Sequence, residues 1–131
     1  MSFMKTSSWA LIEFNQKFLF IQRSESTSRA GQWCPPGGSR KPNESQEDAC
    51  IRETLEEVGM AVTVEKLICQ EETFHYFLCK PVDKTPKVVL KLNECCAYKW
   101  VRLEELLELG LIMELKRMKN VMLKLGVQLD V

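Results

Sequence analysis

The chain has 131 residues, 45% apolar and 27% charged, which suits a single folded domain over residues 1–131 and excludes a disordered or fibrous chain. Eighteen Lys and Arg balance eighteen Asp and Glu, so no global positive field gathers nucleic acid or an anionic membrane, and an anionic partner has to be held locally. Nowhere do eighteen apolar residues run together, and no apolar leader opens the sequence, which predicts a cytoplasmic protein.

"SWALIEF" and "KFLFIQ" are rich in aromatic and β-branched residues and flank Asn15-Gln16, predicting an antiparallel hairpin. From Arg23 to Asn43 the chain turns to Ser, Arg, Gly and Pro and is expected as one long loop, of the kind that carries function. Ser45 with Asp48 forms a capping box and Gly59 a stop, which frames a helix over 46–58. "AVTVEKLIC", "FHYFLCK", "KVVLKL" and "AYKWV" read as four further strands, with a hairpin loop around Asp83 to Lys87. The tail reads as helical, "LEELLEL" and then "IMELKRMKNVMLKL" after a break at Gly110. Strands, helix, strands, helices do not alternate as a doubly wound sheet would. An α+β fold is expected, an α/β/α sandwich whose mixed sheet is flanked by helices. The cysteines at 34, 50, 69, 79, 95 and 96 form no C-x-x-C pair and are expected as reduced thiols.

The helix at 46–58 raises a question of charge. On a helical wheel Glu53, Glu56 and Glu57 share one side, within about 100° of one another, opposite Ile51, Leu55 and Val58, which are expected to face the core. Glu53 lies at i,i+3 and i,i+4 from the other two, so each pair costs roughly 0.2–0.5 kcal/mol, and all three sit toward the negative end of the helix dipole. Small Ala49 on the same side leaves room for close packing, and Gly37-Gly38 allows a backbone to approach and present its carbonyls. Clustered carboxylates with backbone carbonyls describe a site for Mg²⁺ or Mn²⁺, ions that bridge to phosphates and activate water.

These residues resemble the Nudix box, in the order Gly38, Glu44, Arg52, Glu53, Thr54, Glu56, Glu57, Gly59, Met60, with Thr54 where the pattern has an aliphatic residue. "GQWCPPGG" before it and "NECCAYKWVRLEEL" after it are similar to the family's flanking segments. The resemblance implies Mg²⁺- or Mn²⁺-dependent hydrolysis of a diphosphate bond in a nucleoside diphosphate linked to another group. It implies Glu53 as general base, Arg52 as its orienting partner and Glu44 as a brace. Gly37, Gly38, Glu53, Glu56, Glu57 and Glu94 are the implied metal-binding residues. Arg23 and Arg29 are expected at the substrate's phosphates or nucleotide, and Tyr76 stacked on a base. His75 is read as structural or incidental.

The favoured expectation is a MutT-type nucleoside triphosphate pyrophosphohydrolase giving a nucleoside monophosphate and pyrophosphate. Dinucleoside polyphosphate or ADP-sugar hydrolysis is the alternative within the family, and a nucleotide sensor without catalysis the alternative outside enzymes. The expected partner is a small nucleotide, with no nucleic acid or membrane, and the protein is expected as a monomer or homodimer.

Overall fold

The computed structural model describes residues 4–130. Strands β1 (Ser7–Phe14) and β2 (Lys17–Arg23) form the expected hairpin. Asn15 and Gln16 both take positive φ, 51° and 65°, the geometry of a type I′ turn, whose twist suits a two-residue hairpin even without glycine. The 23–43 segment is less irregular than its composition predicts, because it contributes β3 (Trp33–Cys34) beside β2 and β4 (Gly37–Ser39) beside β1.

Helix α1 spans Gln46–Val58, as its end signals predict: Ser45 Oγ accepts from the Asp48 N–H at 3.0 Å, and Gly59 closes it in the left-handed conformation. Strands β5 (Val62–Glu71), β6 (Phe74–Pro81) and β7 (Cys95–Val101) follow. A 3-10 helix (Leu103–Leu109) and helix α2 (Leu115–Lys124) end the described chain. The main path of the sheet runs β3-β2-β1-β6-β5, with β7 beside β2 and β4 beside β1. Among the described strands β1 and β6 pair in parallel, with Trp9 opposite Tyr76, and the other strand pairs are antiparallel, so the sheet is mixed, as expected.

Alternate residues of β6 touch opposite helices. Cys79 meets Cys50 of α1, whereas Phe74 lies under Arg117 of α2, so the helices cover the two faces. The core is built from Leu11, Ile12, Leu19 and Phe20 of the hairpin and from Met118, Val121 and Met122 of α2. The cysteines are free thiols, as expected.

Three expectations are corrected. "KVVLKL" is not a strand, and the turn before it is no hairpin. Its amides serve the end of α1: Val89 N–H donates to Val58 O at 2.8 Å and Lys91 N–H to Glu57 O at 2.9 Å, satisfying carbonyls a helix leaves open. The tail helix begins at Leu115 rather than 112, because residues 111–113 bond in extended form to Trp33. Leu55 is exposed, not core. The buried side of α1 holds Ala49, Cys50, Thr54, Glu57 and Val58, so of the three carboxylates Glu57 is turned toward β1 and β4, Glu53 is half-buried and Glu56 stays exposed.

Candidate active site

The close approach of β4 to α1 organises the site. A Cβ on Gly37 would collide with Ser8 O and with Trp9, and one on Gly38 would lie 2.5 Å from Glu53 Oε2. Two glycines therefore let the strand's backbone lie against the helix's acids. The Gly37 N–H donates to Glu57 Oε1 at 2.8 Å, the one hydrogen bond that this buried carboxylate accepts from the described residues. Burial pushes the Glu57 carboxyl up to about 8, with the charge of Glu53 adding to the effect and the Gly37 N–H opposing it.

Arg52 spends all five of its N–H donors. Nε and Nη2 grip Glu44 at 2.7 and 3.0 Å, Nη2 also reaches Ser39 O at 3.0 Å, and Nη1 donates to Glu53 at 3.0 Å and to Glu56 at 3.3 Å. The grip holds the Glu44 carboxyl down at about 2. Glu53 is different: burial raises its pKa above the usual carboxylate range despite Arg52, and Glu56 and Glu94 add to the rise. Arg52 and Glu44 thus form a closed brace, and Glu53 stays a basic carboxylate beside it.

Glu53 and Glu57 open onto a cleft of about 550 Å³, whose walls include Gly37, Gly38, Trp9 and Glu94. Arg23, Arg29, Lys5 and Arg117 line the same space, so a neutral protein holds a local cationic rim facing its carboxylates. Arg23 is positioned by Ser28 O at 2.7 Å, and Arg29 pairs with Glu114 at 3.1 Å. Glu94 reaches the cleft while paired with Lys91 at 3.2 Å.

Two expected residues stand apart. Glu56 is outside the cleft lining, held by Arg52. Tyr76 is not brought to the cleft, because its ring is 1% exposed between Trp9 and Phe74, and burial pushes its phenol up to about 12. His75 stacks on Phe77 and does not line the cleft. Trp9, Lys5, Glu114 and Arg117 reach the cleft without having been singled out. Strand alternation in "SSWALIEF" and the helical register of "LKRMKN" were the available signals, but neither says which face meets a cavity.

The profile of the NUDIX domain matches residues 4–124. The chain belongs to the NUDIX family. A CTP pyrophosphohydrolase of Escherichia coli (strain K12) is 38% identical over 63 residues, which span 48% of this chain and 47% of that protein. An asymmetrical bis(5'-nucleosyl)-tetraphosphatase of Mus musculus is 29% identical over 112 residues, spanning 76% and 74%. Among solved structures, an Ap4A hydrolase of C. elegans superposes with TM-score 0.73 at 25% identity, covering 92% of this chain and 96% of that one.

Within the NUDIX frame, the donors at the cleft suit a hard divalent cation: two carboxylates whose charge is costly as they stand, beside the peptide groups of Gly37 and Gly38. Among the described residues no three His, Cys, Asp or Glu side chains converge into a ready-made cage. No helix among them is long and apolar enough to cross a membrane.

Proposed function

We propose that this NUDIX protein is a Mg²⁺- or Mn²⁺-dependent pyrophosphohydrolase that converts a nucleoside triphosphate to its monophosphate and pyrophosphate. The observation that carries the reading is the cleft in which the raised carboxylates of Glu53 and Glu57 face the cations Arg23, Arg29 and Arg117. Acids that keep their protons more readily than usual suit base chemistry, and cations across from them suit a polyphosphate.

Glu53, Glu57, Glu94 and the carbonyls of Gly37 and Gly38 are the donors that would hold the divalent cation, while Glu56, paired with Arg52, lies outside the cleft lining. When bound, that cation neutralises phosphate charge and acidifies water. Glu53 accepts the proton of the attacking water as its oxygen bonds phosphorus, and the anhydride bond breaks toward the departing pyrophosphate. Arg52, fixed by Glu44, holds the Glu53 carboxylate in its orientation. Arg23 and Arg29 meet the phosphates.

The test is hydrolysis with Mg²⁺ of a panel of nucleoside triphosphates, dinucleoside polyphosphates, ADP-ribose and sugar nucleotides, scored for phosphate or pyrophosphate. Release of pyrophosphate from at least one triphosphate is expected. Nucleotide binding with no turnover across the panel would refute the proposal and favour a sensor.

A further inference from the structure

Glu44 holds Arg52 and Arg52 holds Glu53, yet Glu44 itself stands in the loop between β4 and α1. A loop residue can brace a base only if the loop is fixed in its turn. Part of the fixing is local: the Lys41 N–H donates to Glu44 Oε1 at 2.9 Å, the Glu44 N–H to Lys41 O at 3.3 Å, and Asn43 turns the chain with a φ of 68°. These bonds shape the turn without tying it to the sheet.

Arg40 makes the tie. Its N–H donates to Thr6 O at 2.9 Å, which carries the β4–β1 ladder one residue beyond Ser39. Its side chain then divides, with Nε donating to Thr6 Oγ1 at 3.2 Å and Nη1 to Glu44 O at 3.0 Å. One guanidinium thus joins the hydroxyl of a buried threonine to the main chain of the brace. The same Thr6 Oγ1 accepts from Gln46 Nε2, and Gln46 Oε1 accepts from the buried Ser8 Oγ at 2.6 Å. Glu44 is therefore flanked, at 40 and at 46, by two residues anchored on one hydroxyl beside β1. Hydrogen bonds from an ionised donor are about twice as strong as neutral ones, which makes Arg40 the stronger of the two anchors. Arg40 is outside the cleft lining, so its effect on chemistry there has to pass through the groups it holds.

We propose that Arg40 is a positioning residue: anchored on Thr6, it fixes Glu44, through Glu44 the Arg52 guanidinium, and through Arg52 the Glu53 carboxylate that takes the proton. The assignment rests on the reading of Glu53 as the base of a pyrophosphohydrolase. It gives a role to a residue that the NUDIX box leaves unspecified between Gly38 and Glu44. A base misplaced by about 1 Å loses up to about a hundredfold in rate, so a tie this far from the cleft has a measurable effect on turnover.

The test has an arm without turnover and an arm with it. In the full chain without nucleotide, exchange of the Arg52 Nε proton with water is followed by NMR, and the wild type is expected to protect this proton because Glu44 accepts it at 2.7 Å. Arg40→Met keeps the apolar stem and removes the fork, and it is expected to speed that exchange about tenfold or more. On the best triphosphate it is expected to lose about tenfold in kcat while KM stays within about threefold, the split that a misplaced base produces. Arg40→Lys carries the charge on one nitrogen in place of a fork and is expected to fall between Arg40→Met and the wild type in both readouts. In an Arg52→Ala background, Arg40→Met is expected to cost less than about threefold in kcat, because the group through which it acts has gone.

Exchange at the wild-type rate in a folded Arg40→Met, or an equal loss of kcat with and without Arg52, would overturn the proposal. So would a lower melting temperature with exchange and kcat unchanged, which would make Arg40 a residue of the fold alone. Were Arg40→Met not to fold, wild-type exchange and kcat in Arg40→Lys would overturn it as well. If the wild type hydrolyses no triphosphate, the pyrophosphohydrolase reading fails, while faster exchange in Arg40→Met still upholds the anchor and unchanged exchange still sinks it.

Discussion

The backbone N–H of Gly37 donates to Oε1 of Glu57 at 2.8 Å, tying strand β4 to a carboxylate that is 7% exposed. One hydrogen bond does not repay the burial of a charge, which is why this carboxyl is pushed up to about 8. In the unfolded chain the same group titrates near 4.5, so between these values the folded protein binds more protons and loses stability as pH rises. His75, held low by burial, acts in the opposite sense below about 6.5, and the raised thiols of Cys34 and Cys95 act only above about 9. Melting temperature in EDTA is therefore expected to fall from pH 6.5 to 8, and millimolar Mg²⁺ to stabilise more at pH 8 than at pH 6.5. A flat profile in EDTA would remove the case for a buried, strained Glu57.

Glu53→Gln keeps the size of the side chain and its hydrogen bond from Arg52 but removes the basic carboxylate. A loss of at least a hundredfold in kcat on the best substrate is expected, with a smaller change in KM, in line with the usual contribution of a general base. Turnover at the wild-type rate would show that another residue takes the proton.

The box was legible in the sequence because its chemistry needs charged residues and glycines at fixed helical spacing. The Asn15-Gln16 hairpin and both ends of α1 were legible because turns and caps are local. The orientation of α1 was not. Its apolar stripe, Ile51, Leu55 and Val58, predicted one buried face, whereas the glycines of β4 let the acidic side approach the sheet and left Leu55 outside. "KVVLKL" has a strand's composition, but its amides are taken by the carbonyls of Glu57 and Val58, a non-local pairing that no local pattern encodes. Tyr76 failed as a base-stacking residue for the same kind of reason: its place opposite Trp9 in a parallel pair, which sequence does not fix, puts it in the core.

Arg52→Ala frees Glu44 from the guanidinium that holds its carboxyl at about 2. A depressed carboxylate contributes stability that is complete above its unfolded value near 4.5 and is lost as pH falls toward 2. In the variant that acid-sensitive contribution shrinks to what the Lys41 N–H still supplies, so the gap in denaturation midpoint between wild type and Arg52→Ala is expected to be wide at pH 6 and narrow at pH 2.5. Activity is expected to drop as well, because Glu53 loses its partner. A gap of constant width across pH would mean that the brace is not electrostatic.

Gly37 and Gly38 are adjacent, yet alanine should act differently at each. At Gly37 the new Cβ meets backbone, Ser8 O and Trp9 Cα, which cannot yield without moving β1, and a loss of about 1–3 kcal/mol is expected in urea unfolding. At Gly38 the atoms nearest to it belong to the end of the Glu53 side chain, which swings aside. Gly38→Ala is expected to fold with nearly wild-type stability and lose at least tenfold in kcat, since a displaced base is a poor base. Equal stability losses in both variants would contradict the contact geometry.

Thr54 is fully buried on the inner side of α1, and its Oγ1 has no hydrogen-bond partner among the described residues. It is also the one position where the NUDIX box here departs from an aliphatic residue. An unpaired buried hydroxyl costs desolvation without return, and valine has nearly the same shape with a methyl in its place. Thr54→Val is expected to stabilise by about 1 kcal/mol, or about 4 °C in melting temperature for a domain of this size. Since the side chain lies outside the cleft lining, kcat and KM should stay as they are. A destabilised Thr54→Val would mean that the hydroxyl is satisfied in solution, with buried water as the available partner.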